Sequence, residues 1–443
     1  MNPFCFIPLF LREGGVGLMK NSRAIYLLLL ANSISGISQG ISMLAIPWYF
    51  TSIIHSEELF GKAYFFITAI SLVWGLYAGT LIDKYNRRKI FLVMNVVGLF
   101  ILSSISLIGF QNNSLPWFLV VSVFATTAFI YNIHFPNLYA YAQQITSKEN
   151  YQRITSLLEI QGQLTFTISG ALAAILLTGI DHQVNFFGFN ISLPVSFSAW
   201  KIHEIFAIDA MTYLIAFVII YNISSFSAAE IKIDTTGLRE RIKVGLGFLK
   251  KHPAIFHFGN SSLLVFLTIL IFGTYVQPVY VNTFLKRGGD VYAFGDMAFS
   301  FGALLAGFLT TKIFGEKNAV RGIIVLSVVA GLMYSVMVFN KILPLFFLAN
   351  FVIGSCNAAV RIQRITYLFH HVPNFVIGRA GSIFFVINVF LRLCLIGLFT
   401  LPFFHKGDNI IYTVALMSAI CFVGAFILWS IQRRLSEEVT VTS

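Results

Sequence analysis

The sequence predicts an all-α polytopic membrane protein with twelve transmembrane helices arranged as two six-helix bundles. Three observations support this fold class: the composition, the spacing of the apolar runs, and the distribution of positive charge. Of the 443 residues, 57% are hydrophobic and only 11% are charged. Soluble proteins average about 25% charged residues. A chain so poor in charge cannot cover a water-facing surface, and a soluble globular protein is excluded.

The apolar runs are each long enough, at 1.5 Å per residue, to cross roughly 30 Å of hydrocarbon. In the first half they cover about residues 24–50, 62–82, 90–110, 116–142, 154–179 and 204–224. In the second half they cover about residues 255–282, 292–314, 320–340, 343–369, 376–403 and 409–431. We therefore expect twelve spans, with the lipid bilayer as the main surrounding partner.

The Lys and Arg residues fix the orientation of these spans. With both termini cytoplasmic, twenty of them fall in cytoplasmic segments. The six on the opposite side are Lys62, Lys201, Lys286, Arg287, Lys341 and Lys406. Short basic loops resist translocation, so this asymmetry predicts a multi-pass protein of the bacterial inner membrane with cytoplasmic termini. The net charge of +12 has the same origin, and no nucleic-acid partner is expected.

Five segments are expected along the chain. They are a cytoplasmic tail (1–23), a first six-helix bundle (24–224), a cytoplasmic linker (225–254), a second six-helix bundle (255–431) and a final cytoplasmic tail (432–443). The linker has helical apolar spacing from Leu238 to Leu249, which predicts an amphipathic helix against the inner leaflet. Matches between the halves recur at offsets of 225 to 228 residues, for example Gly79 with Gly307, which indicates a six-plus-six repeat.

The most informative stretch runs from Gly79 to Lys89, where an apolar run ends in six ionisable side chains and the next apolar run begins at Ile90. It predicts a tight cytoplasmic turn between spans 2 and 3. The stretch resembles the signature of the major facilitator superfamily, whose pattern is matched by Gly79, Leu81, Asp83, Lys84, Arg87 and Arg88. Asn86 replaces the second glycine of the pattern. Because Asn tolerates a left-handed backbone better than most residues, we expect such a turn there.

A finer resemblance is to the bacterial drug-efflux and siderophore-exporter branch, which includes macrolide-efflux and enterobactin-type exporters. It rests on the segments 45–48, 206–210, 246–253 and 372–374, with Gly378-Arg379. The resemblance implies alternating access between two bundles, with spans 1, 4, 7 and 10 lining the substrate cavity. It also implies a gating role for Asp83 near the start of span 11. This chain departs from the branch in span 1, where Asn32 and Gln39 stand in place of an acidic residue.

Ionisable residues within spans are costly, so each requires a reason. Glu159, Asp209 and His134 are the candidates for proton coupling. A structural role is equally plausible for Asp209, and a neutral, hydrogen-bonded His134 is the commoner situation. The candidates for lining the substrate cavity are Gln39, Asn132, Gln277 and Asn357.

Three arginines also lie within spans: Arg361, Arg364 and Arg392. Guanidinium groups suit carboxylates, so together these residues favour a carboxylate-bearing substrate. The alternative for Arg361 and Arg364 is that they reach towards the cytoplasm, and Arg392 could instead pair across helices or contact water.

No nucleotide-binding fingerprint or metal-ligand cluster appears in the sequence, so we expect no cofactor, no bound metal and no enzymatic activity. Transport must then use an ion gradient or the gradient of the substrate. The sequence favours a monomeric secondary transporter, most simply a proton-coupled exporter of an amphipathic drug-like compound or siderophore. The alternatives are an importer of a siderophore or small nutrient, a lipid flippase, and a transport-inactive receptor or scaffold.

Overall fold

The computed structural model describes residues 21–146, 151–179, 183–186, 189–192, 198–223, 238–314, 319–372 and 374–442. In the first half the helices are α1 (Ser22–Trp48), α2 (Glu57–Lys84), α3 (Arg87–Asn112), α4 (Trp117–Ile145), α5 (Tyr151–Thr178) and α6 (Ile202–Tyr221). The linker helix α7 (Leu238–Lys251) follows. In the second half they are α8 (Pro253–Ser261), α9 (Leu264–Ile271), α10 (Gln277–Val279), α11 (Gly289–Phe314), α12 (Ala319–Phe339), α13 (Leu343–His371), α14 (Asn374–Phe399) and α15 (Ile410–Thr442).

The described residues contain eleven helical segments that are long and apolar enough to cross a membrane. One of them, Pro253–Phe284, combines α8, α9 and α10 into a single span. Helix α2, with 28 residues, is the twelfth long helix. A short antiparallel hairpin, β1 (Gln183–Phe186) and β2 (Phe189–Ser192), lies between α5 and α6. The all-α membrane fold predicted from the sequence is confirmed.

Two of the spans contain π-helical turns that the apolar pattern does not predict. Helix α1 continues into a π-helical turn at Tyr49–Ile53, directly after Pro47. The span of α8 to α10 contains two more, at Phe272–Val276 and Tyr280–Phe284. A π-helical turn carries an extra residue and is often found at functional sites. In the sequence these are the first spans of the two halves, so the irregularity recurs at corresponding places.

The chain divides into two compact units. Unit 1 consists of Met1–Ser42, Val73–Thr165 and Ile202–Ile233, and unit 2 consists of Met43–Leu72, Phe166–Lys201 and Asp234–Ser443. The division passes through α1, α2 and α5. The last residues of α1, the first residues of α2 and the last residues of α5 therefore belong to unit 2, together with the whole second half of the chain.

Within unit 2, these helix ends make close contacts with second-half helices, and we call this region the packed end. Asn282 donates a hydrogen bond to the carbonyl of Thr51, 3.0 Å away. Gly170 on α5 lies against α11, where an added Cβ would be 3.1 Å from the backbone nitrogen of Met297. Gly61 on α2 lies under the hydroxyl of Tyr275, and a Cβ there would come within 2.5 Å of it. Glycine at positions 61 and 170 thus permits the close approach.

The linker helix α7 packs against a helix of the second half. Gly245 lies beside the carbonyl of Arg379 on α14, at 2.9 Å from an added Cβ. Leu249 is buried in a core shared with Ile383 and Phe384 of α14 and Phe258 of α8. Lys243, Lys250 and Lys251 are exposed. Part of the apolar face of this amphipathic helix is therefore used for protein packing through Leu249, whereas Leu246 and the three lysines are exposed.

Candidate transport site

The turn between α2 and α3 occupies two residues, Tyr85 and Asn86. The expectation of a left-handed turn at Asn86 is wrong, because its backbone is extended, with φ −61° and ψ 121°. Its side-chain oxygen instead accepts hydrogen bonds from the backbone nitrogens of Arg88 (3.0 Å) and Lys89 (3.2 Å). Asn86 is therefore the N-cap of α3, a position that Asn favours strongly.

The two arginines of the motif fasten the start of α3 to neighbouring helices of unit 1. Arg87 donates to the carbonyl of Ala140 on α4 at 2.7 Å. Arg88 donates to the carbonyls of Ile220 (3.2 Å) and Tyr221 (2.5 Å) at the end of α6. A cation at a helix C-terminus is stabilised by the unpaired carbonyls and by the helix dipole. These side chains thus have a structural function that the sequence pattern alone did not indicate.

The other motif residues lie on the last turns of α2. Leu81 is half-buried, and its carbonyl accepts a hydrogen bond from the nitrogen of Tyr85 at 3.0 Å. Gly79, Asp83 and Lys84 belong to the same helix, but their side-chain surroundings lie outside what the structure describes. The same holds for Glu159 on α5. The gating role of Asp83 and the coupling role of Glu159 therefore remain predictions.

A polar network connects α1, α4 and α5 inside unit 1. His134 Nε2 lies 2.7 Å from the side-chain oxygen of Asn32, so the histidine donates this bond. Asn32 donates in turn to the side-chain oxygen of Gln161 at 2.6 Å, and Gln161 donates to the hydroxyl of Ser33 at 3.0 Å. The order of donors and acceptors is continuous from His134 to Ser33. Three of the polar residues that interrupt the apolar pattern are thereby brought together.

A small cavity adjoins this network. Its lining comes from α1, α3, α4 and α6, and its polar members include Asn32, Gln39, Asn95 and His134. Gln39 is buried and donates to the hydroxyl of Ser35 at 2.6 Å. Tyr213 also lines the cavity. The cavity has room for about one water molecule, which needs polar partners of this kind.

Asp209 on α6 is completely buried. Ser42 of α1 donates a hydrogen bond of 2.7 Å to its carboxyl oxygen Oδ2. The rings of Tyr131 and Tyr213 lie close enough to interact with the carboxyl group electrostatically, and no cation among the described residues does so. Burying a charged carboxylate without a cation is expensive, so a carboxyl group in such a place requires a reason. The proton-coupling role of Asp209 remains a prediction.

The remaining candidates are dispersed. Asn132 donates to the carbonyl of Ala128 on its own helix, at 3.1 Å. Gln277 is buried and lies 3.4 Å from the carbonyl of Tyr292, to which its amide donates. Asn357 is half-buried on α13.

The three arginines do not form one site among the described contacts. Arg361 and Arg364 lie one turn apart on α13, close enough for their charges to repel. Arg392 lies on α14, and its buried Nε has no hydrogen-bond partner among the described residues. The structure therefore groups two of the three arginines.

One charged residue within a span was missed from the sequence. Asp296 lies on α11, two turns after the helix begins, and is half-buried. Tyr292, one turn earlier, is near enough to interact with its carboxyl group. A lone acid inside the apolar run of residues 292–314 was the available signal. It is the same signal that identified Glu159 and Asp209.

The packed end carries three titratable groups that lie outside the apolar spans, Glu57, Glu58 and His405. The side chains of Tyr275 and His405 meet at 3.0 Å, between the hydroxyl and Nε2. Burial lowers the pKa of His405, and the Glu58 carboxylate partly offsets that effect. Burial raises the pKa of Glu57, whereas a hydrogen bond from Lys62 lowers the pKa of Glu58. His405 is therefore neutral near pH 7 in this arrangement.

The family model described as Major Facilitator Superfamily matches residues 28–394, which is most of the chain. The chain belongs to the major facilitator superfamily. As a member of this superfamily, it is a multi-pass membrane transporter, a class of protein that handles small molecules rather than catalysing their conversion.

Among curated proteins, this transporter is similar to macrolide efflux protein A of Streptococcus pyogenes, with 22% identity over 293 residues. That match covers 64% of this chain and 65% of the relative, so it spans just under two thirds of the relative's length. The protein of the same name from Enterococcus faecalis is 22% identical over 246 residues, which is 54% of this chain and 67% of the relative. The resemblance to the drug-efflux branch is thereby confirmed.

Solved transporter structures share the fold. A bacterial homologue of the human lysosomal transporter Spinster, solved inward-facing and occupied, has a TM-score of 0.70 and 10% identity, covering 95% of this chain and 98% of that one. A bacterial homologue of ferroportin, solved inward-facing, has a TM-score of 0.68 and 12% identity, covering 92% and 98%. A D-xylose–proton symporter has a TM-score of 0.63 and 14% identity, covering 91% and 97%. At such identities the likeness concerns the fold alone.

Proposed function

We propose that this transporter is a proton-coupled exporter of an amphipathic, drug-like molecule, working as a monomer by alternating access. The observation that carries the coupling is the buried carboxyl group of Asp209, held by the hydroxyl of Ser42 with no described cation beside it. Such a group is stable when protonated and costly to bury when charged. Loss of the Asp209 proton therefore favours a conformation of the transporter in which this carboxylate contacts water.

The proposed proton route uses the polar network of unit 1. Tyr213 lines the small cavity and also neighbours Asp209, while the network of His134, Asn32 and Gln161 begins at the same cavity. Ser42, the donor to Asp209, is the residue at which α1 passes from unit 1 to unit 2. Protonation of Asp209 thus affects α1 at the point where the helix leaves the first unit.

The direction and the substrate class are supported by the likeness to macrolide efflux protein A. In the proposed topology, the basic turn between α2 and α3 is cytoplasmic and the packed end is periplasmic, as the distribution of Lys and Arg predicts. A bacterial inner membrane is the location that fits this arrangement. The two bundles proposed for residues 24–224 and 255–431 would move against each other during transport, with the linker of 225–254 between them.

The decisive experiment measures uptake of a labelled macrolide into inside-out proteoliposomes with and without an imposed pH gradient. For the wild type we expect accumulation that requires an acidic lumen. Asp209→Asn is expected to reduce gradient-driven accumulation at least about tenfold, since one protonation step is removed. Exchange of macrolide in the absence of a gradient should persist, because the amide can still accept the hydrogen bond of Ser42.

The matched control is Asp408→Asn, which alters an exposed carboxylate paired with Lys341 at 2.9 Å and should leave uptake unchanged. Full gradient-driven uptake by Asp209→Asn would refute the assigned proton site. Glu159→Gln, tested in parallel, would then identify Glu159 as the carrier if it alone abolished the gradient effect. Transport only towards the compartment that represents the cytoplasm would favour the importer. Failure of the wild type to move macrolide or siderophore at all would favour the transport-inactive scaffold.

A further inference from the structure

His405 is a titratable residue outside the spans that the proposed proton route does not use. It ends the 3₁₀ turn Pro402–His405, which lies between α14 and α15. Its Nε2 lies 3.0 Å from the hydroxyl of Tyr275, and the two rings meet edge to face with centroids 6.0 Å apart. The other ring nitrogen, Nδ1, is buried and has no hydrogen-bond partner among the described residues. The packed end therefore holds this imidazole at one nitrogen and leaves the other buried and unpaired.

The neutral and the charged form of the His405 ring differ in how well they fit this place. A neutral imidazole carries one N–H, and the contact with Tyr275 satisfies the nitrogen on that side. An imidazolium carries a hydrogen on both nitrogens, so its Nδ1–H would be a buried donor without an acceptor. Such a donor keeps its full desolvation cost, and a charged one costs more than a neutral one. The packed end therefore favours neutral His405, in agreement with the lowering of its pKa by burial.

The groups that face His405 from neighbouring helices do not supply a free counter-ion. Glu58, at the start of α2, is the carboxylate that faces the ring, but it is already paired with Lys62 at 2.6 Å. Tyr275 and the carbonyl of Phe399 at the end of α14 are polar without being charged. A positive charge on His405 is therefore only partly compensated as long as the end stays packed.

The other charged groups around this turn have their own partners or face solvent. Lys406, the next residue, is exposed, and Asp408 is paired with Lys341 at 2.9 Å. Glu57 on α2 is half-buried, and burial raises the pKa of its carboxyl group. A falling pH favours the buried form of Glu57, so this group acts in the opposite sense to His405. The effect of His405 can thus be separated from that of Glu57 by replacing each residue in turn.

We propose that His405 is a pH-sensitive latch of the packed end: the neutral ring holds Tyr275 against the 3₁₀ turn, and the charged ring releases it. Gly61 of α2 lies under the same Tyr275 hydroxyl, so release also loosens the start of α2. Histidine exposed to water has a pKa of about 6.5, and a state that lowers this pKa loses stability as the pH falls below that value. The latch is therefore closed at higher pH and opens on acidification. With the packed end periplasmic, as the proposed topology has it, an acidic exterior opens the transporter to the outside.

The test measures the distance between two spin labels at the packed end of the purified full-length protein in detergent, from about pH 8 to about pH 5.5. The labels are attached to Ile53→Cys and Phe339→Cys in a background without the four native cysteines. These side chains are 62% and 88% exposed, and both belong to unit 2. We expect the ratio of the longer to the shorter distance to rise about tenfold over this range, the change for one histidine that stays neutral when packed.

Three variants assign the response to one ring. His405→Gln keeps an amide that can donate to Tyr275 but cannot be charged, so its distances should not depend on pH. His405→Phe keeps an aromatic ring beside Tyr275 and tests the same point if the amide variant is not monodisperse. His55→Gln is the matched control: His55 is exposed at the same end, and its Nδ1 donates to the carbonyl of Thr51 at 3.1 Å, a bond that protonation leaves intact. This control should respond to pH as the wild type does, and Glu57→Gln should not weaken the response.

Distances that do not change with pH in the wild type would overturn the proposal, as would a pH response that persists in His405→Gln or His405→Phe. Loss of the response in His55→Gln would also overturn it, because the switch would then belong to His55. The measurement needs neither a substrate nor a gradient. Failure of macrolide transport together with a His405-dependent change in distance would reject the proposed function alone, whereas macrolide transport without that change would reject the latch alone.

Discussion

At the scale of single residues, Asn32 links more of the candidate site than any acid does. It receives the hydrogen bond of His134 and donates its own to Gln161, so it joins α1 to both α4 and α5. An acidic residue at this position would accept from both neighbours, but it would bring a charge into the span. Asn offers one acceptor and one donor, which lets an uncharged side chain complete the chain of hydrogen bonds.

Replacing Asn32 by Leu removes both bonds and leaves partners on two helices unsatisfied. We expect the folded state to lose about 1–2 kcal/mol, because an unpaired polar group in a low-dielectric interior keeps its full desolvation cost. The measurement is thermal unfolding of the purified protein in detergent, followed by tryptophan fluorescence. Asn222→Leu is the control, since that exposed side chain follows α6 directly and donates only to the carbonyl of Val218 in the last turn of α6. An unchanged melting temperature for Asn32→Leu would contradict the importance of the network.

The sequence identified most of these residues but not their partners. Asp209, His134 and Gln39 stand out because polar side chains are rare in apolar runs. That Ser42 would donate to Asp209, or Asn32 to His134, depends on how helices far apart in the chain are rotated against each other. Apolar periodicity carries little of that information in a span that is apolar on nearly every side. Asn86 illustrates another reason why the sequence was not sufficient. Asparagine is favourable both in a left-handed turn and at an N-cap, so the residue type alone does not distinguish the two.

At the scale of helices, glycines set the closest approach. On α11, a Cβ at Gly302 would lie 2.0 Å from the carbonyl oxygen of Phe351 on α13. A Cβ at Gly354 on α13 would lie equally close to the carbonyl oxygen of Phe299 on α11. The two backbones are therefore in direct contact, as is common where small residues meet between membrane helices. The apolar runs predicted both helices but not this contact. Other glycines of the chain have nothing close to them, so a glycine in the sequence does not by itself indicate a close approach of two helices.

Gly302→Ala is expected to destabilise the protein by about 1–3 kcal/mol, because the added methyl group can be accommodated only by separating α11 from α13. Gly307→Ala provides a matched control on the same helix, since a Cβ there meets nothing within 4 Å. Alanine favours helix over glycine, so the control should be neutral or slightly more stable. Thermal unfolding of both variants under identical conditions tests this difference. The close contact is disproved if Gly302→Ala melts at or above the temperature of Gly307→Ala.

At the scale of the whole molecule, the division into units does not follow the two halves of the sequence. The portions of α1, α2 and α5 in unit 2 pack with the second half through contacts such as Asn282 with Thr51. Alternating access requires contacts of this kind to form and break during each cycle. The long apolar helices were predictable from composition and periodicity. Which helix ends are packed together in one state was not, because every state of a transporter must be compatible with the same sequence.

A reversible cross-link at the packed end tests whether that region must open. Leu177 on α5 and Gly289 on α11 are close enough for this, because a Cβ at position 289 would lie 3.2 Å from the Cβ of Leu177 and 2.9 Å from Nε1 of Trp48, so a small adjustment brings the pair to the roughly 3.5–4.5 Å found in disulfides. In a background without the four native cysteines, we expect oxidation of Leu177→Cys/Gly289→Cys to abolish macrolide transport and reduction to restore it. Each single variant, treated with the same oxidant, is the control. Undiminished transport by fully cross-linked protein would show that this end need not open.

The backbone contact between α11 and α13 also fixes the position of one helix along the other. Two helices that touch at Gly302 and Gly354 cannot slide along each other without separating first, so they move as a pair during any rearrangement of the molecule. Asp296 on one helix and the pair of Arg361 and Arg364 on the other are then held at a fixed spacing of about 20 Å along the helix axes. The spacing of these charges along the two helices would then stay the same at every stage of a transport cycle.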